Sequence, residues 1–113
     1  MATYTKYYAF VENLAEKVHN LGSDTLKLAL TNTAPNQSTH AVLADITEIS
    51  AGNGYSAGGA AITVTGSSQT AGTYSLTQSA DVSWTASGGS IGPFRYVVLY
   101  NDTPTSPADP LIA

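Results

Sequence analysis

Apolar residues near the start of the chain recur at the spacing of an α-helix. Within residues 4–21 they follow the i, i+3, i+4, i+7 rule, which places them on one face of a helix. Gly22 comes next and favours the left-handed conformation that ends many helices. The pattern predicts a helix over residues 4–21 whose apolar stripe is core: Tyr7, Phe10, Val11, Leu14, Val18 and Leu21.

Alternating patterns predict that most of the remaining chain forms β-strands. Residues 25–31 alternate as a half-buried strand does, and residues 94–101 are apolar on both faces, which is typical of a strand central in a sheet or covered by a helix. Residues 84–102 are expected to form a hairpin. The predicted strands cover residues 25–31, 60–66, 73–77, 80–86 and 94–101.

Three further segments complete the predicted architecture. Residues 42–49 fit a short helical turn or, less well, a strand, and the four glycines in residues 51–59 predict a tight loop. The apolar residues 111–113 indicate that this end docks as a strand or that the native chain continues beyond it. We therefore expect a single domain, residues 1–113, of the α+β or mainly β class, with one N-terminal helix packed on an antiparallel β-sandwich.

The composition bears on the kind of partner. Charged residues make up 11% of the chain, against about 25% in typical domains. A weakly charged surface rich in Ser and Thr is poorly protected against association, which favours a subunit of an assembly over a sticky monomer. The four basic residues form no run, so we expect no nucleic-acid binding. No apolar run approaches about 20 residues, so we expect no membrane span.

The residue types that carry chemistry are few and scattered. A zinc site needs three or four convergent ligands, but the chain has two histidines, His19 and His40, and no cysteine. Asp45 and Glu48 are the only close acidic pair, and solvated loop charges explain them better than acid–base catalysis does. The glycine-rich loop lacks the lysine of a phosphate-binding loop. We therefore predict that the protein is not an enzyme, with no catalytic residue, cofactor or metal.

Tyrosines and the apolar end supply candidate contact residues. Exposed tyrosines offer a large contact area at low entropic cost, so they suit protein interfaces and carbohydrate stacking alike. Trp84 alternates with Val82, which favours a core position over ligand stacking. The predicted interface candidates are Tyr4, Tyr8, Tyr55, Leu111 and Ile112.

Several sequence segments of the chain resemble segments of small structural proteins of tailed bacteriophages. They cover most of the chain: YTKYYAFVENLAEKVHNL (4–21), LKLALTNTAP (26–35), VLADITEI (42–49), GNGYSAGG (52–59), WTASGGSIGPFRYVVLYNDT (84–103) and DPLIA (109–113). The resemblance lies in the amino-acid sequences of these segments and in their order along the chain, and it includes no catalytic motif.

The resemblance implies a virion location and a role through binding. Because the chain has no fibrous repeat, long coiled coil or heptads, which tail fibres usually show, we favour a capsid decoration or cement protein. It would bind the major capsid protein or another virion protein and form a homo-oligomer, with a trimer favoured. The alternative is a tail tip or fibre component, or a receptor- or carbohydrate-binding module.

Overall fold

The computed structural model describes residues 5–79 and 81–113 of the chain, and these form one short helix and two antiparallel sheets. This confirms the predicted α+β or mainly β class. The strand order is β2-β1-β5 in the larger sheet and β3-β4 in the smaller one. The elements are α1 (Tyr8–Ala15), β1 (Leu26–Thr31), a 3₁₀ turn (Leu43–Asp45), β2 (Ala60–Ala61), β3 (Val64–Thr70), β4 (Thr73–Gln78) and β5 (Tyr96–Asn101).

The larger sheet is built around β1. β5 pairs with β1 along its whole length, from Leu26 opposite Asn101 to Thr31 opposite Tyr96. The apolar chain end then extends this sheet past β5, because the Ile112 N–H donates to the Leu99 carbonyl at 2.8 Å. Residues 110–113 therefore dock beside β5. Docking was one of the two alternatives predicted for this end of the chain.

The core lies on the larger sheet and closes over both faces of β1. Ala29, Leu30 and Thr31 are consecutive and all buried, so β1 is not the half-buried strand that its alternating sequence predicts. Side chains from distant segments cover it, and an alternating pattern cannot reveal such covering. The main cluster of buried apolar residues consists of Tyr7, Ala29, Ile46, Val98, Tyr100 and Leu111.

The helix is much shorter than the pattern predicts. It ends at Ala15, and the left-handed residue that follows is Lys17, with φ 66°, rather than Gly22. Val18 consequently leaves the helical face, and the stripe is only partly core. Val11 and Leu14 are exposed by 53% and 45%. The expectation that Leu14 is a core residue is therefore wrong.

The β3–β4 hairpin stands apart from the larger sheet. Its turn is formed by Ala71 and Gly72, both with positive φ, as two-residue hairpin turns commonly require. Nearly all of its side chains are exposed. Within residues 5–79 and 81–113 its strands make no extensive contact with those of the larger sheet, so the predicted sandwich arrangement is not confirmed.

The segment before β5 is irregular, which corrects two predictions. No strand is assigned between residues 81 and 95, so neither the strand over residues 80–86 nor the hairpin over residues 84–102 forms as predicted; Ala80 lies outside the described residues. The Trp84 ring instead lies 5.9 Å from the Tyr55 ring, and the Ser87 N–H donates to the Asn53 carbonyl at 2.9 Å. These contacts hold the segment on the glycine-rich loop without a strand ladder.

Candidate functional site

Three exposed large apolar residues of the described chain lie on one face of α1. Tyr8 is exposed by 57%, and Val11 and Leu14 lie beside it on the helix. At 100° per residue, these three side chains span about 120° of the helix circumference. Exposed apolar side chains that adjoin one another on one element mark interaction surfaces more often than single ones do. We refer to Tyr8, Val11 and Leu14 as the α1 face.

Hydrogen bonds to segments distant in sequence fix the start of α1 and hence the position of this face. The Tyr7 N–H donates to the Ile112 carbonyl at 3.1 Å, and the Tyr7 side chain is buried in the core. Gln37 makes two hydrogen bonds with Tyr8. Its backbone carbonyl accepts the Tyr8 N–H at 2.9 Å, and its side-chain amide donates to the Tyr8 hydroxyl at 3.0 Å. The ring of Tyr8 is therefore held in place while most of it faces solvent.

The five predicted interface residues have different positions. Tyr4 lies outside the described residues, and Tyr8 belongs to the α1 face. Tyr55, Leu111 and Ile112 are at most 4% exposed and pack inside this chain. Their side chains offer no surface to a partner in this conformation. The sequence showed that these residues are apolar or aromatic, but not that the chain itself covers them.

Tyr55 locks the glycine-rich loop onto the larger sheet. Its hydroxyl accepts the Leu30 N–H at 3.0 Å and donates to the Glu48 carboxylate, whose Oε2 also accepts the Gly58 N–H at 2.8 Å. The Tyr100 hydroxyl donates to the Gly58 carbonyl at 2.5 Å. Burial, assisted by Glu48, raises the pKa of Tyr55, and burial raises the pKa of Tyr100 to about 12. Both tyrosines therefore act as neutral hydrogen-bonding groups in a structural lock.

Tyr55→Phe is expected to destabilise the fold by about 1–3 kcal/mol, because it leaves the buried Leu30 N–H without its acceptor. Urea unfolding checks this. Tyr74→Phe is the matched control, since Tyr74 is about half exposed and its hydroxyl lies 2.7 Å from the exposed Ser67 hydroxyl on the same hairpin. A change within about 0.5 kcal/mol is expected there. Equal losses in the two variants would contradict the assignment of Tyr55 as a lock.

The histidines and acids that could have formed a site are dispersed. His40 Nδ1 accepts the Asn36 N–H at 3.0 Å. Asp45 Oδ2 accepts the N–H groups of Ala41 and Val42, which lowers the pKa of Asp45 and caps the 3₁₀ turn. Glu48 instead binds Tyr55 and Gly58, so the acidic pair does not converge. The described residues contain no group of three or more His, Cys, Asp or Glu placed to hold a metal.

His19 and Asn101 form a buried polar contact that sequence reasoning missed. His19 was expected at the end of a helix, but that helix ends at Ala15 and the His19 ring is buried. Asn101 is fully buried at the end of β5, and its side-chain amide lies 3.0 Å from His19 Nδ1. An amide at the end of an apolar strand was the available signal, because buried polar groups need partners.

A small polar cleft lies between residues 48–53 and the turn at residues 90–93. It has a volume of about 310 Å³. The aromatic residues that a carbohydrate site would use do not gather beside it, since Tyr55 is buried against Trp84 and Tyr74 lies on the separate hairpin. The cleft is lined by Asn32, Glu48, Ile49, Ser50, Ala51, Gly52, Asn53, Ser90, Gly92 and Pro93.

Comparison with protein-family models, curated proteins and solved structures finds no match to this chain. Among the residues that the structure describes, no helix is long and apolar enough to cross a membrane. The α1 face is thus the surface feature on which a functional proposal can be built.

Proposed function

We propose that this protein is a structural subunit of a bacteriophage particle that acts by binding, as a capsid decoration or cement protein. The observation that carries its role as a subunit of an assembly is the α1 face, which leaves three large apolar side chains in solvent on a single short helix. The sequence segments that resemble phage structural proteins and the low content of charged residues support the same role. Binding to a repeating lattice needs only a modest interface per copy, because linked copies gain from effective concentration.

A second copy of this chain is the proposed occupant of the α1 face. Two basic and two acidic residues lie in or next to α1 in sequence, so the charge of this region sums to zero and does not oppose self-association: Lys6, Glu12, Glu16 and Lys17. The salt bridge found in the described chain, between Lys27 and Asp102, uses none of these four. Oligomers of identical chains close by symmetry, and a trimer would match the three-fold positions of a capsid.

Val11→Asp is expected to shift the protein from oligomer to monomer in sedimentation-velocity runs, because it places a charge at the centre of the α1 face. Val and Asp have similar helix propensities, so the fold should be retained. Asn13→Asp is the matched control: it adds the same charge to the same helix, about 160° around from Val11. A monomeric unmodified protein, or identical behaviour of the two variants, would refute the proposed occupant.

The virion role is tested separately on particles of the phage that encodes the chain. Deleting the gene is expected to leave heads that assemble but release their DNA at a lower temperature, and adding back purified protein should restore their heat resistance. Quantitative mass spectrometry is expected to find hundreds of copies per particle. If deletion leaves heads stable and abolishes adsorption to host cells, the receptor-binding alternative replaces the decoration role.

A further inference from the structure

Residues 16–25 join α1 to β1 and fasten to the end of β5 through a buried polar contact. The Asn101 amide group donates to Asp24 Oδ2 at 2.7 Å and lies 3.0 Å from His19 Nδ1. Asp24 Oδ2 also accepts the Asn20 N–H at 2.8 Å, which closes the turn. One buried side chain of β5 therefore holds two side chains of the connecting segment.

The orientation of the Asn101 side chain is fixed. Its Oδ1 accepts the Thr103 N–H at 3.0 Å, while its NH₂ group serves Asp24 and His19. A flipped amide would place a donor against the Thr103 N–H and an oxygen against the Asp24 carboxylate. Because the amide must present N–H to His19, Nδ1 of His19 can only be an acceptor, and the ring proton lies on Nε2.

Protonation of His19 is incompatible with this arrangement. A proton on Nδ1 would face the N–H of Asn101, so two donors would meet where a hydrogen bond had been. The ring is 5% exposed and packs against Phe10 at 5.2 Å between centroids, and its Nε2 has no hydrogen-bond partner within the described chain. A charge at this position would therefore be almost without solvation.

We propose that the contact between His19 and Asn101 is an acid-sensitive latch that releases residues 16–25 from β5 when His19 is protonated. The latch does not require the assembly role proposed above, although its release would reach Leu14 of the α1 face. Loosening this segment would free the C-terminal end of α1, which carries Leu14. The latch thus couples acidity to the position of the helix.

Burial of His19 sets the direction of the effect. Burial lowers the pKa of His19 below its ordinary 6.5, and this effect exceeds the opposing attraction of Asp24. The free energy that favours the closed latch is therefore at its full value above pH 6.5. It decreases as the pH falls toward the lowered pKa, because the open form binds the proton more tightly. Asp24 is the charged group that acts on the His19 ring. Lys27 is paired with Asp102, and the charged residues that precede His19 in the chain are exposed: Glu12, Glu16 and Lys17.

Hydrogen exchange of the amides in residues 16–25, measured between pH 7.5 and 5, tests the latch in the full chain. Below pH 6.5, protection factors in this segment are expected to fall by up to tenfold per pH unit, the slope for uptake of one proton. Amides in the β1–β5 ladder should keep their protection. His19→Gln should remove the pH dependence, because a neutral amide can accept from Asn101, whereas the control His40→Gln should retain it.

A second measurement does not depend on the folding of any variant at the latch. In an NMR titration of the unmodified protein, the His19 ring proton signals, assigned by comparison with His40→Gln, should show a midpoint below 6.5. A midpoint at or above 6.5 would overturn the latch. So would an unchanged pH dependence in a folded His19→Gln variant, or an equal loss of protection across β1 and β5.

Discussion

Gly59→Ala is expected to destabilise the protein by about 3 kcal/mol or more. Gly59 has φ +77°, and a Cβ added there would overlap the carbonyl oxygen of Leu28 and lie 2.9 Å from the Ala29 Cα. Both obstacles are backbone atoms of β1, which cannot move without disturbing its pairing with β5. Gly59 also lies next to Ala60, which pairs with Leu28 of β1, so a shift at residue 59 would disturb that pairing. Denaturant unfolding checks the loss.

Gly72→Ala separates the two causes of this effect. Gly72 has a similar φ, +84°, but a Cβ there would meet nothing within 4 Å. We expect a loss of about 1–2 kcal/mol, the strain of a left-handed alanine alone. If both substitutions cost the same, steric contact with β1 does not determine the conformation of the glycine-rich loop.

Leu111→Ala is expected to cost about 2–5 kcal/mol, the usual range for truncating a buried leucine. Leu111 is fully buried in the main cluster and forms a bridge with Tyr100 in the docked chain end. Removing its side chain leaves a cavity between the sheet and the segment that contains Ala41, whose carbonyl accepts the Leu111 N–H at 2.9 Å. Thermal and urea unfolding measure the effect.

Leu14→Ala is the matched control, because it makes the same change on the α1 face. With 45% of the side chain in solvent, a loss of less than about 1 kcal/mol is expected. This reverses the ranking that helical periodicity predicts, in which Leu14 is core. A larger loss for Leu14→Ala than for Leu111→Ala would contradict the docking of the chain end.

Local sequence patterns predicted several elements at close to their observed positions. β1 and β5 were expected over residues 25–31 and 94–101 and occur at Leu26–Thr31 and Tyr96–Asn101. Of the two alternatives left open for residues 42–49, the better-fitting one, a short helical turn, occurs at Leu43–Asp45, and the tight loop at residues 51–59 was also predicted. In each case the residue pattern that indicates the element lies within the element itself, although β1 and β5 also need each other as pairing partners.

Long-range contacts decided the features that the patterns predicted wrongly. The helical period continued to Leu21, but His19 bonds to Asn101, 82 residues away, and the chain leaves the helix after Ala15. Residues 80–86 alternate as a strand does, but Trp84 packs on Tyr55 and no strand pairs with this segment in the described chain. Strand formation needs a neighbour with free backbone groups, and a single segment does not specify its neighbour.

The candidate surface was likewise predicted in part by the sequence and decided in part by the tertiary structure. The sequence by itself determined that the chain is β-rich with one N-terminal helix, poor in charge and supplied with apolar residues at both ends. Only the tertiary structure decided which apolar residues the chain covers. Leu111, Ile112 and Tyr55 are buried, whereas Tyr8, Val11 and Leu14 are exposed. The physical reason is that burial depends on which distant segments pack over a residue, and side-chain type alone does not determine that packing.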